Sequence, residues 1–326
     1  MAEPSSNAID LFGKRFERIV SNVETVIQGK QDVVELLVLA MVSEGHVLIE
    51  DVPGVGKTQL AKSLARTIDG EFHRIQFTPD LLPSDVTGVS IWDRTAGRFD
   101  FQPGPIFANV VVGDEINRAS PKTQSALLEA MEERQVTSDG ITRPLDPPFM
   151  VIATQNPLEH EGTYPLPEAQ LDRFMMRVVI GYPSREKELE MLDTHGIRST
   201  FLDLEAVASL DEVVEMVNIA RQVAVSASVK NYIVDLVEGT RLHPDVLLGA
   251  SPRSALFLQR IARSRAAASG RDYVMPDDIK HLAGPVLVHR LALRPEAQMR
   301  GETVESIISD VLGRIQVPGT TSRIAT

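Results

Sequence analysis

The sequence contains no cysteine among its 326 residues. The chain therefore forms no disulfide, holds no metal through a thiolate and uses no thiol as a nucleophile. A chain without cysteine fits a reducing compartment, and we expect a cytoplasmic protein.

Long hydrophobic runs and clusters of basic residues are also missing. The longest apolar run, Val33–Val42, contains Glu35 and is shorter than the about 20 residues needed to cross a bilayer. No apolar segment follows a basic start at the N-terminus, so we expect no secretory signal. Asp and Glu outnumber Lys and Arg by 45 to 33. This acidic balance disfavours non-specific binding to nucleic acid.

The motifs of two common enzyme classes are absent. The seven histidines are scattered and include no His-Glu-x-x-His, so a zinc site is not expected. The sequence also lacks Gly-x-Ser-x-Gly, the turn that carries the nucleophile of α/β-hydrolases. Metal-dependent proteolysis and serine hydrolysis therefore have no support.

Between His46 and Gly181, short β-rich runs alternate with helical segments. This alternation predicts an α/β fold, a parallel sheet flanked by helices. Fully buried parallel strands read as nearly continuous Val, Ile and Leu, and most of these runs do. The predicted strands are His46–Glu50, Phe72–Phe77, Val110–Gly113, Phe149–Thr154 and Arg177–Ile180.

A helix and a hairpin are predicted between the third and fourth strands. Ser120 followed by Pro121 forms an N-cap and first-turn pair, which predicts a helix over Pro121–Glu133. Asp139-Gly140 lies between the β-rich runs Gln135–Ser138 and Ile141–Leu145 and predicts a tight turn. We therefore expect a β-hairpin just before the fourth strand.

After Pro183 the strand patterns end and helical periodicity takes over. We expect an α/β core over residues 9–183 and an all-helical domain over residues 184–317. Residues 1–8 are expected to be disordered, and residues 318–326 to form a flexible tail. The predicted helices of the second domain are Arg185–Thr194, Asp211–Val223, Lys230–Arg241, Arg253–Ala268, Pro276–Leu287 and Val304–Ile315.

The segment after the first strand has the composition of a phosphate-binding loop. Gly54 and Gly56 would let the backbone N–H groups approach phosphate oxygens. Lys57 would reach the β- and γ-phosphates, and the Thr58 hydroxyl would bind Mg²⁺. The full pattern has a glycine where this chain has Asp51, so a capped helix after an ordinary turn is the alternative. The residues expected to contact nucleotide here are Pro53, Gly54, Val55, Gly56, Lys57, Thr58 and Gln59.

Polar residues follow two later strands. Asp114 and Glu115 come after Val110–Gly113, where Asp114 would help to hold nucleotide and Mg²⁺ and Glu115 would orient and polarise the attacking water. Asn156 follows the fourth strand and could contact the γ-phosphate or that water. The alternatives are solvated acids at a strand end, and an Asn-Pro turn.

Taken in order, these motifs resemble the AAA+ ATPases, and within them the MoxR group. The resemblance covers roughly residues 15–315. It predicts a P-loop AAA+ core with a five-stranded parallel sheet, a helix-2 insertion and a pre-sensor-1 β-hairpin, followed by a helical lid. The segments that carry it are "LIEDVPGVGKTQLAK", "GDEINRASPKTQSALLEAMEERQVT", "VIATQNPLEHEGTYPLPEAQLDRF" and "SPRS".

The resemblance also implies roles for particular residues. Arg173 is similar to the finger that reaches the γ-phosphate of a neighbouring subunit, and Arg253 to the lid sensor of bound nucleotide. Asn156 matches the other sensor, and residues 26–30 match the segment that holds adenine. A surface arginine at Arg173 and an ordinary first-turn arginine at Arg253 are the alternatives.

The helix-2 insertion maps between Val86 and Pro105 and includes Trp92, Phe99 and Phe101. In related motors this insertion and the hairpin face the centre of the ring. Aromatic side chains there could grip a protein, or they could be local core.

These features predict an ATP-hydrolysing motor that uses Mg-ATP to remodel or mature protein partners as a homo-oligomer, a hexameric ring with Arg173 acting in trans. The resemblance implies partners with von Willebrand factor A domains. The alternatives are a motor on nucleic acid, a chelatase subunit, or a nucleotide-gated scaffold with little turnover.

Overall fold

The computed structural model describes residues 4–156, 163–189 and 200–318. They form two compact units. The sheet unit comprises the described residues within Arg15–Phe174 and Val178–Glu215, and the helical unit those within Met1–Lys14, Met175–Arg177 and Met216–Thr326.

Five strands form a parallel sheet with the strand order β2-β5-β8-β1-β9. Its middle strands are almost fully buried, as continuous apolar runs require. The predicted α/β fold is confirmed. The strands are β1 (Val47–Glu50), β2 (Phe72–Gln76), β5 (Val110–Asp114), β8 (Met150–Gln155) and β9 (Met176–Val178).

The last strand ends earlier than the sequence predicted. Arg177–Ile180 was the expected range, but β9 stops at Val178. The N–H groups of Ile180 and Gly181 both donate to the carboxylate of Asp51, at 2.7 and 2.6 Å. The Asp51 side chain therefore binds two backbone donors just beyond Val178, where the chain leaves the sheet.

Helices cover the sheet and form most of the helical unit. The predicted helix Pro121–Glu133 has these bounds in the structure, and the Ser120 hydroxyl accepts from the Thr123 N–H as an N-cap. The helices are α1 (Ser6–Glu24), α2 (Gln31–Val42), α3 (Lys57–Thr67), α4 (Pro83–Thr87), α5 (Pro121–Glu133), α6 (Glu168–Leu171), α7 (Leu210–Gln222), α8 (Ala227–Leu242), α9 (Pro252–Ala268), α10 (Pro276–Leu287), α11 (Pro295–Met299) and α12 (Val304–Arg314).

Three observations differ from the expected organisation. Helix α1 starts at Ser6, inside the range expected to be disordered. The units divide between Glu215 and Met216 rather than near residue 184, because α7 begins on the sheet unit, where Glu212 pairs with Arg15 at 3.1 Å. Residues 185–189 are helical, and the rest of the predicted helix Arg185–Thr194, like the tail 319–326, lies outside the described residues.

The helical unit is not entirely helical. Strands β10 (Val246–Leu248) and β11 (Ala292–Leu293) form a small antiparallel pair that the sequence analysis missed. Inside the unit, the buried carboxylate of Asp278 pairs with both terminal nitrogens of Arg271, at 2.7 and 2.8 Å. The same carboxylate accepts the Met275 N–H and so caps α10.

Two hairpins project from the sheet unit. One pairs β3 (Gly88–Asp93) with β4 (Arg98–Pro103), and the other is the predicted hairpin of β6 (Gln135–Ser138) and β7 (Ile141–Pro144). The Ser90 hydroxyl donates to Asp139 at 2.5 Å, so the hairpins contact each other.

The aromatic pair near the tip of the first hairpin is exposed. Trp92 and Phe99 meet edge to face, with ring centroids 5.0 Å apart, yet they are 50% and 68% exposed. Phe101 instead packs on Phe107, and the Arg143 guanidinium lies 3.7 Å from its ring centroid. The alternative that Trp92 and Phe99 are local core is therefore wrong.

A buried histidine joins β1, α5 and β8. The His46 ring accepts the Val151 N–H at Nδ1 and donates from Nε2 to the Met131 carbonyl, both at 3.0 Å. Complete burial lowers the pKa of His46 from 6.5 to about 4. The folded chain therefore keeps this ring neutral at any pH above that value.

Acidification should destabilise the fold through His46. His46 has a lower pKa in the folded chain than in the unfolded chain, so the unfolded chain takes up the proton first as the pH falls. The contribution of His46 to the free energy of unfolding is therefore fully present above pH 6.5 and is lost as the pH falls toward 4. The loss at pH 5 should be about 2 kcal/mol. In urea unfolding at pH 7.5 and 5, His46→Gln should remove this part of the pH dependence. His73→Gln, at a partly exposed histidine, should retain it, and an equal slope for wild type and His46→Gln would contradict this account.

Candidate nucleotide-binding site

The loop between β1 and α3 has the backbone conformation of a phosphate cradle. Gly54 and Gly56 have φ values of +87° and +89°, in the region that favours glycine. A Cβ at either position would meet no atom within 4 Å, so conformation rather than space requires glycine here. Helix α3 begins at Lys57, so its unpaired N-terminal N–H groups border the loop.

The Lys57 ammonium bridges the two ends of this loop. Its Nζ donates to the Asp51 carbonyl oxygen at 2.7 Å. Burial lowers the pKa of Lys57 below its usual value, while the nearby acids Asp51, Asp114 and Glu115 raise it. Lys57 therefore lies within electrostatic range of the acids that follow β5.

Asp51, which stands in place of the pattern's first glycine, is buried and fully engaged. One carboxylate oxygen accepts from Ile180 and Gly181, and the other accepts the Val52 N–H at 2.8 Å. The Asp51 N–H donates to the Gln155 carbonyl at 3.3 Å. The side chain thus joins the start of the loop to the segment after β9, which a glycine could not do.

A cavity of about 670 Å³ opens beside this loop, within the sheet unit. That size suits a nucleotide or another small molecule. Part of the segment 26–30, which the resemblance associates with adenine, lines the same cavity as the glycines of the loop. The lining residues are Val26, Ile27, Gln28, Lys30, Gly54, Val55, Gly56, Gln59, Ile180, Gly181, Tyr182, Pro183 and Glu188.

Asp114, at the end of β5, is oriented by two partners. Its Oδ1 accepts from the Thr154 hydroxyl at 2.6 Å, and its Oδ2 pairs with Arg74 at 2.6 Å. A carboxylate has about four acceptor positions, so both oxygens keep capacity for another ligand. Carboxylate and hydroxyl oxygens are donors that Mg²⁺ prefers, and Asp114 and Thr58 therefore fit such an ion.

Glu115 has a left-handed backbone, with φ of +55°. This conformation is uncommon for a residue with a side chain and marks a local constraint. Glu115 Oε2 accepts from the Gln76 amide at 3.0 Å and from Arg118 at 2.9 Å. The Glu115 N–H donates to the Thr154 hydroxyl at 2.9 Å, so Thr154 contacts both acids.

These four partners of Asp114 and Glu115 were not predicted from the sequence. Gln76 is the last residue of β2 and lies in register with Asp114 of β5, and Thr154 ends the apolar part of β8. Both residues are polar and lie at the carboxyl end of a strand next to β5, and this pattern could have identified them from the sequence. Arg74 and Arg118 carried no comparable signal.

Fewer contacts define the positions of the other three predicted site residues. Asn156 is buried directly after β8. Arg173 is partly exposed, and its Nε lies 3.2 Å from Glu132 of α5. Arg253 occupies the first turn of α9 in the helical unit. The roles of these three residues, and of the loop and acid residues, stay predictions.

Two further observations concern only the described ranges 4–156, 163–189 and 200–318. No helix in them is long and apolar enough to cross a membrane. No group of three or more His, Cys, Asp or Glu side chains in them could hold a metal ion. A magnesium ion that is held largely by nucleotide phosphates needs only one or two protein ligands.

The phosphate cradle and the acidic strand end define a P-loop nucleotide hydrolase, and family models narrow the class. Residues 46–176 match the model described as "ATPase family associated with various cellular activities (AAA)", and residues 238–311 match an AAA lid domain. The fold is therefore a nucleotide-binding AAA+ core followed by a lid, and the chain is an ATPase of this class.

Individual relatives show the family. The chain is 50% identical to an uncharacterized protein, YeaC, of Bacillus subtilis, over 92% of this chain and 94% of that protein. It is 42% identical to the chaperone MoxR1 of Mycobacterium tuberculosis, over 93% and 82% of the two chains. A solved structure from Cytophaga hutchinsonii, provisionally described as an ATPase, superposes with a TM-score of 0.89 at 40% identity over 95% and 97%. The chain belongs to the MoxR family of AAA+ ATPases.

Proposed function

We propose that this ATPase uses Mg-ATP to remodel or mature protein partners as a homo-oligomeric ring, most simply a hexamer. The observation that carries the proposal is the meeting of the Gly54–Lys57 loop with Asp114 and Glu115. The loop follows β1 and the acids end β5, and both strands pair with β8, so these groups share one edge of the sheet. Such an edge is where open α/β sheets bind ligands.

Each group has a role that its position supports. The backbone of Gly54–Gly56 and Lys57 would bind phosphate oxygens, with Pro53 and Gln59 flanking them. Thr58 and Asp114 would hold Mg²⁺, which neutralises charge on the phosphates. Glu115 would accept a proton from the attacking water, and Asn156 would help to orient that water.

Glu115 Oε2 would have to exchange its present partners for water if this oxygen is to act as the base. It is hydrogen bonded to Gln76 and paired with Arg118, and both contacts stabilise the carboxylate. We propose that nucleotide binding at the loop frees this oxygen. The strained backbone of Glu115 supports a switchable position rather than a passive one.

The active site would be completed by a second copy of the chain. Arg173 would contact the γ-phosphate held by the neighbour, and Arg253 would couple the lid to bound nucleotide. We propose residues 9–183 and 184–317 as the functional domains of core and lid. A ring is supported by the position of Arg173, whose partly exposed guanidinium pairs through Nε with Glu132 at 3.2 Å.

The client is proposed to be a protein. The exposed Trp92 and Phe99 form an apolar end on the first hairpin, which suits transient contact with a polypeptide. A relative is named as a chaperone, which supports the same role here. Partners with von Willebrand factor A domains and a cytoplasmic location remain part of the proposal.

Specific ATPase activity should rise with protein concentration. A site that needs an arginine from another copy is inactive in a monomer, because such an arginine contributes about 10³-fold or more to turnover. Phosphate release, measured alongside molar mass across a dilution series, should fall as the assembly dissociates. A constant specific activity down to the monomer would contradict the ring.

A further inference from the structure

We infer that Asp51 and Lys30 are positioning residues that fix one wall of the nucleotide cavity, the segment Ile180–Tyr182, against the phosphate loop. This wall contacts the nucleoside part of the ligand, so the pair controls affinity for a nucleoside diphosphate but not for a bare phosphate chain. The inference rests on the proposed nucleotide site and deepens it.

Asp51 holds the wall by its N–H groups. The Ile180 and Gly181 N–H groups donate to one carboxylate oxygen at 2.7 and 2.6 Å. Gly181 has φ of +65°, so the backbone turns sharply at this contact. Hydrogen bonds to an ionised acceptor are about twice as strong as neutral ones, and this acceptor is buried.

Lys30 holds the same wall by its carbonyl groups. Its ammonium donates to the Ile180 carbonyl at 2.6 Å and to the Tyr182 carbonyl at 2.8 Å. The Asp51 carboxylate thus binds the N–H groups of the wall, and the Lys30 ammonium binds its carbonyl groups. Asp51 lies in the phosphate loop and Lys30 directly precedes α2, so the clamp ties three distant parts of the chain together.

The wall and the phosphate loop line one cavity. Ile180, Gly181 and Tyr182 line it together with Val26 and Ile27, and Gly54–Gly56 line it as well. Apolar side chains such as those of Val26 and Ile27 suit a base and a sugar better than they suit phosphate. The inference therefore assigns the base and sugar to the wall and the phosphates to the glycine loop.

Asp51 is not needed for the phosphate cradle itself. The loop pattern accepts a glycine at this position, and glycine has no side chain to form the clamp. The contact that Lys57 makes to residue 51 uses the backbone carbonyl, which every substitution keeps. The carboxylate of Asp51 thus has a role separate from phosphate binding.

The test compares ADP with inorganic pyrophosphate on the full-length protein by titration calorimetry with Mg²⁺. Asp51→Gly should weaken ADP binding about tenfold, the loss expected for one charge-assisted hydrogen bond, and leave pyrophosphate binding unchanged. Lys30→Met should also weaken ADP binding and leave pyrophosphate binding unchanged. It tests the inference even if Asp51→Gly does not fold. Lys14→Met, at an exposed lysine of α1, is the matched control and should change neither affinity.

The combined variant gives a second readout. Since both residues hold one segment, the double variant should lose less ADP affinity than the product of the two single losses. Parallel losses for ADP and pyrophosphate would overturn the inference, and so would unchanged ADP affinity in both single variants. A wild-type protein that binds ADP but not pyrophosphate would also contradict it, whereas failure of the wild type to bind ADP would refute the nucleotide site itself.

Discussion

Glu115→Gln is expected to lower ATP turnover by about 10²–10⁴-fold while nucleotide binding is retained. The amide has nearly the shape of the carboxylate, and its oxygen can still accept from Gln76 and Arg118. The loop residues that bind phosphate are untouched. What is lost is the group that accepts a proton from water.

The measurement is single-turnover hydrolysis alongside equilibrium binding of ATP. Glu17→Gln is the matched control, because Glu17 lies exposed on α1 and the same charge is removed. The control should turn over at the wild-type rate. Unchanged turnover in Glu115→Gln would show that Glu115 is not the base, and loss of binding would show that it contributes to nucleotide affinity.

Arg173→Ala should reduce turnover by about 10³-fold, with ATP affinity nearly preserved. Glu132 pairs with the Nε of the partly exposed guanidinium, at 3.2 Å, and we propose that the terminal nitrogens reach a phosphate on another copy. Transition-state charge on the γ-phosphate would lose this partner in the variant, whereas the ground-state contacts of the loop remain.

The control for this variant is Arg314→Ala. Arg314 is largely exposed and pairs with Asp310 one turn earlier on α12, so its removal should leave turnover near wild type. The two variants are compared at a protein concentration where the wild type is assembled. Equal activity of Arg173→Ala and wild type would remove Arg173 from the mechanism.

The parts of the fold that the sequence predicted are those with strong local signals. Buried parallel strands such as Val110–Asp114 read as unbroken apolar runs, and α5 is marked by Ser120 and Pro121 at its start. The turn residues Asp139-Gly140 were sufficient to predict the hairpin of β6 and β7. In each case the determinant lies within a few residues of the element that it specifies.

The features that were missed depend on contacts between distant residues. Strand β9 ends at Val178, and the Ile180 N–H just beyond it donates to Asp51, 129 residues earlier in the chain. Gln76 reaches Glu115 only because β2 and β5 are neighbours in the sheet. Periodicity within one segment contains no information on such pairs.

Two expectations failed for a local reason. The second domain contains β10 and β11, which are so short that they produce no recognisable alternation. Trp92 was given a local-core alternative because large aromatic residues are usually buried, but in β3 it is half exposed beside Phe99. An exposed position for the only Trp agrees with the proposed contact to a client.

The central claim is that each ATP site is completed by a neighbouring copy, and mixed assemblies test it most directly. Glu115→Gln and Arg173→Ala chains are each expected to be nearly inactive. When they are co-expressed, an Arg173→Ala chain keeps its base and can receive Arg173 from a Glu115→Gln neighbour. Random pairing around a ring should restore about one site in four. Purified mixed assemblies that hydrolyse ATP no faster than either variant alone would contradict the claim.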